Sequence, residues 1–317
     1  MRSLITLIAL LIIGIGNVLA APPKHYLYTS SGELDQLETL LARPDIEGVQ
    51  IVYSWKRLEN AQGQYDFSAI EKDLAHLTAR DKKLFIQIQD RFFDPDARNI
   101  PLYLQQEPVY HGGLVAQSDN AGEGMPEGQG WVAMQWQPGV RARFQALLAA
   151  LATSFDGRIA GMNLPETAID IDVNDASSGF TCEGYFAATL DNIRFARNAF
   201  KQSPVVQYVN FFPCEWNDDQ RYMSRLFEFA ASNRIGLGGP DIVPYRKAHM
   251  NNTYPFFNRY KPRLEQVAMA VQEPTLTYTN PKSGAPFTRE EFVRFAEDYL
   301  GVDIIFWSPQ TPWLSQR

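Results

Sequence analysis

Eight short apolar runs, separated by segments of helical periodicity, predict a (β/α)8 barrel formed by a single domain. Two further observations support that class. Most of the runs close on a carboxylate, amide or aromatic residue, as strands do when their carboxyl ends build a site, and no repeat, linker or low-complexity segment interrupts the alternation.

The first run is His25-Tyr-Leu-Tyr-Thr29. Ser30-Ser-Gly-Glu33 then has the pattern of a capping box, and Leu34, Leu37, Leu40 and Leu41 follow at helical spacing. Gly48 to Trp55 is the second strand, and Ser68-Ala-Ile-Glu71 opens a helix with Ile70, Leu74 and Leu77 on one face. Lys83 to Gln89 is the third strand. After a long interval Val140, Phe144, Leu147, Leu148 and Leu151 mark a helix, Ile159 to Leu164 is the fourth strand, and a helix lies near Tyr185 to Phe200. The second half repeats the alternation: Val205 to Phe211 as strand, Gln220 to Ala231 as helix, Ile235 to Val243 as a glycine-rich strand, and Tyr254 to Tyr260 as a short helical connection. Gly236, Gly238 and Gly239 precede Pro240 rather than a helix, which assigns them to close packing inside the barrel and not to a phosphate loop. The seventh strand lies in Leu264 to Glu273. Thr288-Arg-Glu-Glu291 caps a helix bearing Phe292, Phe295 and Tyr299, and Val302 to Trp307 is the eighth strand. Because only ten residues follow Trp307, the last helix is expected to be missing or reduced to a turn around Pro312 to Leu314.

The first twenty residues combine an early cation, Arg2, with an apolar run from Leu4 to Ile15 and small residues up to Ala20. This pattern predicts a secretory signal peptide over 1–20, a barrel over 21–317, and a secreted or periplasmic location. The alternative, an uncleaved anchor, has an apolar run short for about 30 Å of hydrocarbon, and no later segment spans a membrane. Without Arg2 the chain carries 28 cations against 36 acids, a net charge of −8, which argues against nucleic acid as a partner. Cys182 and Cys214 are the only cysteines. Too few and too far apart for a zinc pattern, they are either a disulfide, which an exported chain permits, or two buried thiols.

The polar residues at the strand ends are the candidate site: Trp55 and Arg57 after the second strand, Gln89 and Asp90 after the third, Asn163 and Glu166 after the fourth, Tyr208 and Asn210 after the fifth, Asp241 and Tyr245 after the sixth, Glu273 after the seventh and Trp307 after the eighth. Amides and acids bond sugar hydroxyls, and indole rings cover the apolar face of a pyranose, so the mixture suits a glycan. The irregular stretch from Arg91 to Pro138 follows a strand, so His111, Trp131 and Trp136 either wall the cleft or pin the loop to the barrel. His25, His76, His111 and His249 are scattered, and neither a metal nor an organic cofactor is expected. Asp170 and Asp172 form an acidic loop for which calcium is the weaker reading. Asp90 and Asp241 either orient substrate or pair with Arg57, Arg91 or Arg246.

The segment Tyr53-Ser-Trp-Lys-Arg-Leu-Glu-Asn-Ala-Gln-Gly-Gln-Tyr-Asp-Phe67 resembles the W-x-x-L-E-x-x-x-G-x-Y-D-F signature of the (β/α)8 clan of retaining glycoside hydrolases. In that clan the acid/base glutamate ends strand four and the nucleophilic glutamate ends strand seven, which are the positions of Glu166 and Glu273. The resemblance implies cleavage of a polysaccharide or oligosaccharide by double displacement, with Glu166 held protonated by burial and a neighbouring negative charge. It also implies that Trp307 is a sugar platform. One departure is Pro165, which stands where the clan commonly has an asparagine contacting the sugar 2-hydroxyl, with Asn163 displaced from that place. The missing last helix is the second departure. A non-catalytic carbohydrate-binding barrel, with the cleft kept and the acid/base geometry lost, is the alternative function.

Overall fold

The structure is a computed structural model that describes residues 21–92, 94–117, 129–173 and 176–315. The expected leader therefore lies outside the described residues. Eight strands form the barrel: β1 Lys24–Ser30, β2 Ile46–Ser54, β3 Lys83–Gln89, β4 Gly161–Leu164, β5 Val205–Tyr208, β6 Gly236–Gly239, β7 Val267–Val271 and β8 Ile304–Trp307. Each pairs in parallel with the next, and β8 returns to β1 with Tyr26 opposite Phe306, so the sheet closes without an edge. The helices outside it are α1 Glu38–Leu41, α2 Ser68–Thr78, α3 Pro138–Phe155, α4 Cys182–Ala199, α5 Tyr222–Asn233, α6 Tyr254–Tyr260 and α7 Arg289–Arg294. Among the described residues after β8 there is a 3-10 turn, Pro312–Leu314, where a turn was expected.

Two apolar clusters result from the alternation of side chains along each strand. One fills the barrel interior and contains Tyr26, Phe85, Val206, Ile304 and Phe306. The other lies between sheet and helices, where α3 buries Val140, Phe144, Leu147, Leu148 and Leu151. Full burial of such a side chain stabilises by about 1.5–3 kcal/mol. Glycine makes the inner packing possible: a Cβ on Gly238 would lie 1.8 Å from the Ala268 carbonyl oxygen, and one on Gly48 2.4 Å from the Tyr26 ring. Above this apolar layer, Gln50 Nε2 donates to Tyr208 Oη at 2.8 Å and to Asn163 Oδ1 at 3.2 Å, a polar floor beneath the carboxyl ends.

The structure departs from the sequence expectation in several places; β5 stops at Tyr208 rather than Phe211, and α7 gives way at Phe295 to a π-helical turn, Phe295–Leu300. Ser30 does not cap a helix; Gly32, at φ +94°, turns the chain, and a 3-10 turn Leu34–Leu37 precedes α1. Glu33 still makes half of the capping box by accepting from the Ser30 N–H at 3.3 Å. β6 stops at Gly239 because Pro240 has no N–H for the ladder. β7 stops at Val271, and Glu273 opens a separate helical turn, Glu273–Leu276, rather than ending the strand. The stretch after β3 is structured in part: it holds a helix Leu102–Gln106 and a hairpin of Leu114–Gln117 with Gly130–Ala133, while 118–128 lie outside the described residues.

Cys182 and Cys214 form a disulfide that ties the first turn of α4 to the loop after β5. Among the described residues no helix is long and apolar enough to cross a membrane.

The signature segment is a structural unit. Trp55–Leu58 is a helical turn and Glu59–Ala61 pairs with Gln64–Tyr65 in a hairpin. The Glu59 carboxylate, fully buried, accepts from Trp55 Nε1 at 2.8 Å, Gly63 N at 2.8 Å, Tyr103 Oη at 3.1 Å and Arg143 Nη2 at 2.7 Å. It thus joins the turn after β2, the helix after β3 and α3. Glu59→Gln leaves Arg143 without its countercharge and is expected to cost about 3 kcal/mol in a denaturant titration. A variant as stable as the parent would show that the network contributes nothing.

Candidate active site

A cleft of about 980 Å³ opens at the carboxyl ends of the strands. β1 contributes Tyr28 and Thr29 to its lining, β3 contributes Gln87 and Gln89, and β5 contributes Tyr208. The segments after β4, β5, β6 and β7 add Glu166, Asn210, Asp241 and Glu273.

Beyond Leu164 the main chain leaves the ladder, so its polar groups need other partners. Gln207 Nε2 donates to the Pro165 carbonyl at 2.5 Å, and Arg91 Nη1 donates to the Glu166 carbonyl at 2.7 Å. The Thr167 N–H donates to the Tyr208 carbonyl at 3.1 Å, and Thr167 Oγ1 accepts from the Asn210 N–H at 3.1 Å. The peptide carrying Glu166 is therefore fixed on both sides, with Pro165 as part of the fixation.

Desolvation by burial dominates the Glu166 carboxyl and, with the negative charge of Asp241, pushes its pKa up to about 7. Arg91 and a hydrogen bond from the Asn210 side chain oppose the rise without cancelling it. The neighbouring negative charge that raises Glu166 is that of Asp241. Asp241 is itself pushed up by burial, against a hydrogen bond from Thr275 Oγ1 at 3.0 Å and the charge of Arg246. Glu273 accepts a hydrogen bond from Ser308 Oγ, and the Ser308 N–H donates to the Val271 carbonyl at 2.9 Å. The Tyr28 hydroxyl is influenced by Glu273, Glu166 and Asp241 together. Burial and these charges push it up to about 12, so it stays a donor at neutral pH.

Of the residues selected from sequence, Glu166, Glu273, Gln89, Tyr208, Asn210 and Asp241 share the cleft. Six others do not. Trp55 is fully buried against Phe144 at 5.3 Å, outside the sheet. Arg57 is exposed and donates to the Ser31 carbonyl at 3.4 Å. Asp90 is buried with Arg91 at 2.8 Å, the structural role weighed for it above. Asn163 belongs to the polar floor. Tyr245 faces Phe295 and carries Lys282 over its ring at 3.8 Å. Trp307 is 1% exposed, donates to His25 Nδ1 at 3.0 Å and packs on Trp313, so it offers no platform to a sugar. Trp307 has the strand parity that faces the helices, not the barrel axis, and Trp55, in the helical turn after β2, is likewise packed against α3.

Trp136 packs on Phe180, Trp131 stacks under Arg98, and His111 is exposed, so these three pin the long loop or face solvent. Phe92, 48% exposed, lines the cleft instead. Tyr28, Ser308 and His249 were not anticipated. Tyr28 and Ser308 obey the same strand-end rule as the acids, but a hydroxyl gives a weaker sequence signal than a carboxylate. Among the described residues the one acid/histidine cluster tight enough to share an ion is Asp35, Glu38 and His76 on the outer face, and Arg80 already bonds Glu38 at 2.9 Å. Asp170 and Asp172 form no such cluster there.

No protein-family model matches the chain, and no curated protein matches it in sequence. Solved structures do. The catalytic domain of beta-amylase from Paenibacillus polymyxa is 8% identical, with 90% of this chain and 93% of that one covered and a TM-score of 0.60. A psychrophilic glycoside hydrolase family 10 endo-beta-1,4-xylanase is 11% identical over 90% and 86%, with a TM-score of 0.54. Endo-glycoceramidase II from Rhodococcus sp. is 10% identical over 91% and 74%, with a TM-score of 0.51. The chain thus has a single-domain (β/α)8 barrel shared with carbohydrate-active enzymes; at these identities the likeness is one of fold.

Ionising Glu166 costs the folded state, because its folded pKa stands above the ordinary carboxylate value of 4.5. The cost is absent below about pH 4.5, where the group is protonated in both states, and complete above about pH 7. Glu166→Gln is therefore expected to be more stable than the parent by about 3 kcal/mol at pH 8, with the gap closing toward pH 4.5. Thermal melts at both pH values check this, and an equal gap at both rules the burial argument out.

Proposed function

We propose that the chain is a retaining glycoside hydrolase acting on a polysaccharide or oligosaccharide, with Glu166 as proton donor and Glu273 as nucleophile. The observation that carries this reading is a carboxyl group near pKa 7 at the end of β4, facing the cleft that also holds Glu273. Protonated Glu166 donates to the glycosidic oxygen as the bond to the leaving group breaks. The Glu273 carboxylate attacks the anomeric carbon, aligned by Ser308. Ionised Glu166 then removes a proton from the water that hydrolyses the glycosyl-enzyme, and the anomeric configuration is retained. Tyr28, held protonated between the acids, supplies a hydrogen bond to charge developing at the centre. No step calls for a cofactor. The expected leader and the Cys182–Cys214 disulfide support a secreted or periplasmic enzyme, since disulfides persist in oxidising compartments.

Two experiments test the assignment. Glu166→Gln and Glu273→Gln are each expected to lower kcat at least about a thousandfold on a glycan that the parent cleaves, and proton NMR of the first product is expected to show retained configuration. Full activity in Glu273→Gln removes it as nucleophile, inversion refutes double displacement, and a parent inert on every glycan it binds favours the non-catalytic barrel.

The pH profile separates Asp241 from Glu273 as the charge acting on Glu166. The acid must be protonated, so kcat/KM is expected to fall as pH rises through about 7. Asp241→Asn removes a charge that raises Glu166, so its alkaline limb is expected at lower pH than the parent's. An unmoved limb would show that Asp241 does not set it.

A further inference from the structure

His249 stands on the cleft wall in the helical turn Lys247–Asn252, 6% exposed, its ring held between Phe211 at 5.3 Å and Tyr254 at 5.1 Å. Both ring nitrogens are buried without a hydrogen-bond partner. Burial, reinforced by the charge of Arg246, lowers its pKa to about 4, so at neutral pH the ring is uncharged and offers one donor and one acceptor. A buried polar atom without a partner costs more than a hydrogen bond usually gains, so an imidazole held between two rings with both nitrogens unpaired is poorly explained by the fold.

Asn210 on the same wall shows the same signature. Its carboxamide is hydrogen-bonded to Glu166, while its Oδ1 is buried and unpartnered. Arg246, also lining the cleft, donates to the Tyr278 hydroxyl and lies 4.8 Å over that ring, which fixes the guanidinium. This wall therefore holds, just beneath its surface, a donor–acceptor ring and an unpaired amide oxygen, with a fixed cationic donor alongside them, beside the carboxyl of Glu166. A hydroxyl group both donates and accepts, so adjacent hydroxyls of a sugar ring match this set. Charge narrows the class. Among the described residues the cleft is lined by Glu33, Glu166, Asp241 and Glu273 against the single guanidinium of Arg246, which disfavours a polyuronate.

We infer that Asn210, Arg246 and His249 form a hydrogen-bonding subsite for the hydroxyls of a neutral sugar unit, with His249 as its specificity-determining residue; this rests on the glycan-cleaving reading of the same cleft. The nitrogens lie beneath the wall surface, so the imidazole turns about its Cβ–Cγ bond to meet a hydroxyl, and Phe211 yields at its edge.

The test uses Glu273→Gln, so that bound glycan survives, and isothermal titration calorimetry with neutral hexasaccharides of glucose, xylose, galactose and mannose in α and β linkages, together with hexagalacturonate. His249→Phe is added to that background because it keeps a ring between Phe211 and Tyr254 and removes only the nitrogens. It is expected to melt no lower than its parent and to weaken the best neutral ligand at least about tenfold, and His249→Gln is expected to recover part of the loss. Unchanged binding in His249→Phe overturns the subsite and leaves the glycan reading standing. A His249→Phe variant that melts lower and binds normally assigns the nitrogens to the fold. Tighter binding of hexagalacturonate than of any neutral ligand overturns the neutral class. If Glu273→Gln binds no member of the panel, the reading of the cleft as a glycan site fails, and the subsite with it.

Discussion

Everything at this cleft depends on the alternation of side chains in a closed parallel barrel. Only every second residue of a strand faces the axis, so a chain that fills a barrel also decides, with the same parity, what its carboxyl end presents. Tyr26 and Tyr28 on β1 both point inward, the first into the aromatic packing with Phe85 and Phe306 and the second toward the charges of Glu273, Glu166 and Asp241. Gln50 on β2, Asn163 on β4 and Tyr208 on β5 form the layer between. That polar layer matters because an acid cleft set directly on hydrocarbon would leave buried donors unpaired, whereas Gln50 and Tyr208 satisfy one another and hand the axis over from apolar to polar.

Parity also explains what the sequence disclosed and what it hid. The eight strands and the capping box at Thr288 were legible because periodicity and cap chemistry are local signals, whereas two cysteines left a disulfide and two buried thiols both open to a reading by count, and the fold decides for the disulfide. Glu166, Asp241 and Glu273 were legible because a carboxylate at the end of an apolar run is conspicuous. Trp55 and Trp307 misled because an indole is equally at home against a sugar or under a helix, and a one-residue difference in facing decides which. Glu59 is a different case. The segment that resembles a family signature is occupied with holding the turn after β2 against α3, so its resemblance speaks to the scaffold. His249 was illegible because its property is an absence of partners, which no local pattern encodes.

The proline before Glu166 stands where an asparagine was expected, and the structure provides an amide by another route. Asn210, arriving from the neighbouring strand β5, bonds the Glu166 side chain, while Gln207 from the same strand holds the Pro165 carbonyl. One strand thus supplies both the support of the peptide and the amide at the carboxyl. A proline suits this arrangement because its own nitrogen needs no partner in a segment that has left the ladder.

A buried guanidinium close to a carboxyl would ordinarily keep it ionised, since an arginine in contact holds a carboxylate about 1–3 pH units below its usual value. Arg91 does not do this, because its donors are committed elsewhere. Nε gives to Asp90 at 2.8 Å, and Nη1 gives to the Tyr185 hydroxyl at 3.1 Å and to the Glu166 carbonyl, not its carboxylate. Asp90 neutralises the cation within the wall, which explains why so acidic a residue is buried behind the cleft rather than in it. The pull of Arg91 on Glu166 is opposed by Asp241, and desolvation decides the outcome, a carboxyl pushed up to about 7. Arg91 can therefore anchor the loop through the Glu166 carbonyl without holding the Glu166 carboxyl in the usual carboxylate range.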